Sequence, residues 1–206
     1  MRNLSKLVLL VLVGVLSGCQ VLYLLTGKGQ KDALYELPAE SRVLVMVDPR
    51  PGTMALVEVP AALGESLTAH LYKYHVADKF VDQARLVDLR KDPRFEKMGI
   101  ADIARQVEAD VVVYVDLVTF AIETPSQTQL IHGHAQALVK VVDKNGKRLW
   151  PPSSEALGYG VEARVQPELA DQTTPLAVRE KLLHLLTVRM GRTFHAYDLE
   201  DKALNK

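Results

Sequence analysis

Asp110 to Ile122 reads DVVVYVDLVTFAI. Val, Tyr, Thr and Phe dominate this stretch, and β-branched and aromatic side chains suit a pleated, half-buried surface. It is the strongest strand signal in the chain, and Pro125-Ser126 ends it. Gln129 to Asp143 follows as a second strand, with Ala135, Ala137, Val139 and Val141 on one face. Lys144-Asn145-Gly146-Lys147 supplies the hairpin turn, because Asn-Gly accepts the positive φ angles of a tight reversal. Arg148-Leu149-Trp150 begins the return strand. Pro151-Pro152-Ser153-Ser154 interrupts it, and Gly158 to Val165 closes an antiparallel meander.

Upstream the pattern changes. Arg42 to Asp48, RVLVMVD, is a continuous apolar run ending at the turn Asp48-Pro49-Arg50-Pro51-Gly52. Such a run fits a strand buried on both faces. Pro60 opens a helix whose stripe is Leu63, Leu67, Leu71 and Tyr74. Phe80 to Leu89 alternates loosely and reads as a strand. Ile100, Ile103, Ala104 and Val107 form a second helical stripe. Thr173-Thr174-Pro175 is a helix start with a Thr cap and an early Pro. Leu176, Leu183, Leu186, Met190, Phe194 and Tyr197 line one face of that closing helix. A second face of Val178, Leu182, Leu185 and Val188 is a candidate partner surface. The order is therefore β-α-β-α-β-β-β-α. It predicts an α/β fold, a mixed β-sheet with helices mainly on one face.

The amino-terminal stretch is of another kind. MRNLSKLVLLVLVGVLSGCQ combines a positive start (Arg2, Lys6), an apolar run from Leu7 to Leu16 and a small-residue close. That is the order of a secretory signal peptide. Cys19 is the only cysteine, so disulfides and cysteine metal sites are excluded. The alternative is an uncleaved membrane helix, because Val21 to Leu25 extends the apolar stretch toward the ~20 residues that span a bilayer. Both readings place the domain outside the cytoplasm. Residues 1–18 read as the signal, 19–40 as a modified cysteine and tether, 41–200 as one α/β domain and 201–206 as a polar tail.

The chain has 206 residues, 25 basic and 25 acidic. Removing Arg2 and Lys6 leaves the mature chain slightly acidic, which argues against nucleic acid as a partner. Hydrophobic residues make up 48%, ample for an apolar core without disulfides. Gly27-Lys28-Gly29 lacks the spacing of a phosphate-binding loop and reads as part of the tether.

Two resemblances follow from these residues. Leu16-Ser17-Gly18-Cys19 resembles the lipobox of bacterial lipoproteins, which implies lipidation of Cys19 and a membrane anchor. Gln20, rather than Asp, after that cysteine implies the outer membrane, with the domain facing the periplasm. Ile103 to Leu117, IARQVEADVVVYVDL, resembles a helix-to-strand junction of envelope proteins. Gly133-His134-Ala135, Val139 to Asp143, Asn145-Gly146 and Leu149-Trp150 resemble the hairpin that follows it. The group comprises the curli-secretion lipoprotein, the activator lipoproteins of penicillin-binding proteins and the TolB amino-terminal domain. It implies an anticodon-binding-domain-like sandwich over about Arg42 to Val165. The Pro49 to Gly52 turn and Pro151-Pro152 depart from it. The resemblance implies a non-catalytic binding module in envelope assembly, secretion or peptidoglycan synthesis. Its partner would be an envelope protein or a second copy, and it supplies no catalytic residue or cofactor.

Chemistry-bearing residues are sparse. His132 and His134 share a strand face and are the candidate metal ligands, with His70, His75 or a carboxylate as possible completion; the alternative is a polar strand face. Ser66 lacks a nucleophile-elbow context, and Ser126, Ser153 and Ser154 lie in loops without a motif. Asp110 and Asp116 have even spacing on one strand, but strand-end aspartates commonly cap turns, and Asp82 and Asp88 invite the same reading. Trp150 and Tyr159 are candidate partner contacts; the alternative is packing over the hairpin. Three function classes stay open: a recruitment module, an envelope hydrolase or metal-dependent enzyme, and a small-ligand carrier with a closed apolar pocket.

Overall fold

The computed structural model describes residues 29–53, 58–124, 129–155 and 157–199. In chain order they form β1 (Gln30–Lys31), β2 (Arg42–Pro49), α1 (Val59–Lys73), β3 (Lys79–Phe80) and α2 (Gln83–Leu89). A 3₁₀ turn (Phe95–Lys97), α3 (Ile100–Gln106), β4 (Val111–Glu123) and β5 (Leu130–Asp143) follow. β6 (Arg148–Trp150), β7 (Tyr159–Leu169), α4 (Pro175–Gly191) and β8 (Tyr197–Asp198) complete the fold. The signal, Cys19 and the 201–206 tail lie outside the described residues, as does Ser126. Among the described residues no helix is long and apolar enough to cross a membrane.

The sheet is mixed. β2 runs parallel to β3 and β4, and β5 pairs antiparallel with β4. On its other side β5 pairs first with β7, over Leu130 to Val139, and then, farther along, with β6 at Val141 and Val142. The two apolar runs lie side by side, Val43 beside Val111 and Val47 beside Val115. Their odd-numbered valines enter the larger core with Leu63, Leu67 and Leu71 of α1, all at 0% exposure. Full burial of each such side chain stabilises by about 1.5–3 kcal/mol. Leu44, Met46 and Val112 point the other way, against Leu86 of α2 and Ile103 and Ala104 of α3. Two long helices thus cover one face, and two short ones cover only the β2–β4 part of the other. This is the α/β fold that the order of elements predicts.

Four local expectations are corrected. Phe80 to Leu89 is not a strand. β3 stops at Phe80, and the Asp82 carboxylate accepts a hydrogen bond from the Ala84 amide (2.9 Å), capping α2. The segment 30–40 is not a free tether. The amides of Leu34 and Tyr35 both donate to the Thr193 carbonyl, Leu37 is buried, and β1 pairs with β8. The closing helix ends at Gly191 rather than Tyr197. Its buried stripe is Val178, Leu182, Leu185, Leu186 and Met190, whereas Leu176 is 55% exposed. Val178, Leu182, Leu185 and Val188 are therefore core, not partner surface. At the hairpin only Gly146 of the Asn-Gly pair has positive φ (85°), and Asp143 Oδ1 accepts from the Asn145 and Lys147 amides.

Candidate functional site

The strand-face histidines lie where alternation puts them. His132 and His134 point from β5 to the part of the opposite sheet face that α2 and α3 leave uncovered, and a third group meets them. The β4–β5 register shifts between Leu117 and Thr119. That bulge reverses the alternation, so Phe120 turns into the core and Glu123 turns outward. Glu123 Oε2 lies 3.2 Å from His132 Nε2, and Oε1 lies 3.6 Å from His134 Nδ1. The carboxylate thus divides its two oxygens between two rings instead of joining them around a point. Among the described residues no group of three or more His, Cys, Asp or Glu is arranged to hold a metal ion.

Trp150 is buried at 9% exposure. It stacks on Tyr35 (5.9 Å between centroids) and lies 5.1 Å from Tyr159 and 6.1 Å from Phe194. Tyr159 is partly buried against the same core. These two aromatics join the hairpin to the amino-terminal segment.

The aspartates flagged by spacing are each occupied. Asp110 accepts from the Arg42 amide (3.2 Å) and from Lys144 Nζ (3.1 Å), which hold its carboxyl below the ordinary range. Asp88 pairs with Lys91 (2.7 Å). Asp116 pairs with Arg50 Nη2 at 2.5 Å, and beside it Asp48 pairs with Arg90 Nη2 at 2.6 Å. Asp48 and Asp116 are adjacent in the β2–β4 register, where the carboxyl end of β2 lies beside the middle of β4. Burial pushes the Asp48 carboxyl up, and the Arg90 charge offsets part of that rise. Burial, then the Asp48 and Asp116 charges, push the neighbouring Tyr114 hydroxyl up to about 12. The row is self-neutralising, with each carboxylate matched to its own arginine.

A second cluster gathers His70 and His75 away from His132 and His134 and joins them to His195, which no motif singles out. The amino-terminal segment, the end of α1 and the chain after α4 enclose a cleft of about 560 Å³, lined by Glu36, Tyr74, His75, Asp78, Phe194 and His195 among others. Behind its wall His70 Nε2 lies 3.0 Å from His195 Nε2. His195 Nδ1 lies 2.8 Å from the Ala196 carbonyl, which only accepts, so Nδ1 carries the proton. With Nδ1 the donor, His195 Nε2 is left to accept, and His70 Nε2–H donates to it. Tyr74 stacks on His195 at 4.0 Å, nearly parallel (2°). The His70 ring also lies over Gly191, where a Cβ would run into it. Burial first, then the charges of His195, Lys73, His184 and Arg192, lower the His70 pKa to about 4. The pair links α1 to the carboxy-terminal segment. His70 and His195 are 125 residues apart, and no spacing motif joins them.

That carboxy-terminal segment holds the amino terminus of the domain. Besides the contacts at Thr193, the Leu199 amide donates to the Gly29 carbonyl (2.8 Å), and the Arg192 guanidinium lies 4.4 Å from the Tyr197 ring centroid. The site is a clasp, fixing where the amino-terminal segment leaves the domain.

No family model matches the chain, and no curated protein does. Solved structures similar to parts of it include lipoprotein GNA1162 from Neisseria meningitidis, at 14% identity and TM-score 0.43, covering 66% of this chain and 88% of that one. A PelC dodecamer from Paraburkholderia phytofirmans is 10% identical, with TM-score 0.45, covering 81% of this chain and 96% of that one. The hypothetical protein CT253 from Chlamydia trachomatis is 13% identical, with TM-score 0.40, covering 73% and 96%.

Proposed function

We propose that this protein is a lipid-anchored, non-catalytic binding module of the cell envelope, held to a membrane through Cys19 and acting by recruitment. The observation that carries the reading is the clasp, taken with the lipobox. The domain grips its own amino-terminal segment at Gly29 to Tyr35. Cys19 therefore precedes the gripped chain by about ten residues, a reach of roughly 35 Å at full extension. A tether that short confines the domain to a thin layer beside the bilayer and raises its effective concentration for neighbours. Two or more acyl chains hold such an anchor stably, where one does not.

The test is metabolic labelling with an alkyne fatty acid, followed by in-cell crosslinking of full-length protein and of Cys19→Ala. The reading expects label on the wild type alone and an envelope protein or second copy crosslinked only when Cys19 is present. An unlabelled wild type would remove the anchor. Labelled protein without any crosslinked partner would remove recruitment.

A further inference from the structure

We infer that the open edge of β7 is a self-pairing edge, through which two copies of the chain join their sheets across a two-fold axis at Ala163. The inference rests on the sheet and does not need the lipid anchor.

β7 is an 11-residue strand paired on one side with β5, Val161 opposite Ala137 and Val165 opposite Gly133. Among the described residues no strand pairs with its other side. The backbone shows which groups face that side. Arg189 Nη1, reaching round from α4, donates to the Glu162 carbonyl at 2.8 Å. In an antiparallel strand alternate residues turn both backbone groups the same way. Gly160, Glu162 and Arg164 therefore present amide and carbonyl to the open edge, while Val161, Ala163 and Val165 turn theirs to β5. A long edge of this kind is a template for another strand unless it is short, bulged or charged against pairing. Here the irregularity, with Pro167, lies beyond Val165, where the register to β5 shifts. Tyr159 to Val165 is left regular.

The charges on this edge select a partner and a register. Glu162 and Arg164 are exposed on the face opposite α1 and α4, 3.5 Å apart at their nearest charged atoms. An antiparallel second copy centred on Ala163 sets Glu162 of each chain opposite Arg164 of the other. Both residues turn their backbone groups outward, so each such pair exchanges two backbone hydrogen bonds once the exposed Arg189 side chain gives up the Glu162 carbonyl to the incoming strand. Val161 then faces Val165 on the inner side. Centring on Glu162 or Arg164 instead would oppose like charges, which destabilises cross-strand pairs. A segment of unrelated sequence offers neither the matched charges nor the matched valines, and a second copy offers both by symmetry. A single strand pair is smaller than the interface of a tight dimer, so the association is weak in dilute solution. Confinement beside a surface would strengthen it.

Sedimentation velocity of the full-length protein, at concentrations up to about 0.5 mM, tests the pairing with the charge variants Arg164→Glu and Glu162→Arg. Circular dichroism checks that each variant is folded. The wild type is expected to dimerise reversibly. Each single variant opposes like charges at two symmetric positions and should dimerise about tenfold more weakly. An equimolar mixture of the two variants restores opposite charges and should recover dimers close to wild-type strength. A wild type that stays monomeric throughout overturns the inference. So does a dimer indifferent to both variants, or a mixture that dimerises no better than its components. An unmodified Cys19 would leave all these outcomes readable, so failure of the anchor and failure of the edge are distinct results.

Discussion

His70 Nε2 and His195 Nε2 lie 3.0 Å apart, one on α1 and the other just beyond α4. This contact joins the helix layer to the clasp that holds the amino terminus. It makes stability depend on pH in a defined window. The folded His70 has its pKa lowered to about 4, against an ordinary value of 6.5. Between those values the unfolded chain binds a proton that the folded protein refuses, so stability falls as pH falls through that range. Above about pH 6.5 the effect is nil. After discounting for solvent screening of a partly exposed ring, about 1–2 kcal/mol is lost by pH 4. Urea unfolding from pH 7 to pH 4 should show that slope in the wild type and a flatter one in His70→Gln. Equal slopes would mean His70 is not the group responsible.

Gly191 occupies the last turn of α4 with the His70 ring against it. Alanine is the better helix former by about 1 kcal/mol, yet Gly191→Ala is expected to destabilise by about 1–3 kcal/mol, because the added methyl displaces the ring. The double variant Gly191→Ala with His70→Ala removes the clash and should recover most of the loss. Denaturation midpoints of the four proteins in this cycle measure the coupling. Additive effects would place the strain elsewhere.

Trp150 is buried between Tyr35, Tyr159 and Phe194, joining the hairpin to the Tyr35 segment and to the chain that follows α4. Trp150→Ala should cost about 3–5 kcal/mol, the range for deleting a large buried aromatic. The amino-terminal segment should also loosen, because Tyr35 loses its stacking partner. Hydrogen exchange at Leu34 and Tyr35, whose amides donate to Thr193, reads that release directly. Unchanged protection there would show that the backbone contacts hold the segment without the ring.

The strong elements were legible because each obeyed one period. Val43 to Val47 is apolar at every position since both faces of β2 are covered, and Ala135 to Val141 alternates since β5 is covered on one. What escaped depended on single atoms or distant partners. Phe80 to Leu89 has a strand-like composition, but the Asp82 side chain captures the Ala84 amide and turns the chain into a helix. Glu123 joins His132 and His134 only because the bulge near Val118 reverses the alternation of β4, and no residue there announces it. The His70–His195 contact and the clasp of residues 30–40 depend on contacts between segments more than a hundred residues apart, which periodicity does not encode.

The closing helix supplies the last prediction, because two leucine stripes competed for the core. Both have helical spacing, and the core takes Leu186 and Met190 from one and Val178, Leu182 and Leu185 from the other. Gly133 of β5 has no side chain, and a Cβ there would approach Val178 Cγ1 (3.1 Å) and Leu182 Cδ2 (3.2 Å). That notch admits the Val178–Leu182 stripe and leaves Leu176 in solvent. Leu182→Ala should therefore cost about 2–5 kcal/mol, whereas Leu176→Ala should stay within about 0.5 kcal/mol. Gly133→Ala should resemble a core defect, about 1–3 kcal/mol, by lifting the helix off the strand. Thermal unfolding of the three variants measures all of this at once. A costly Leu176→Ala beside a harmless Leu182→Ala would mean that α4 is rotated about its axis from the orientation described.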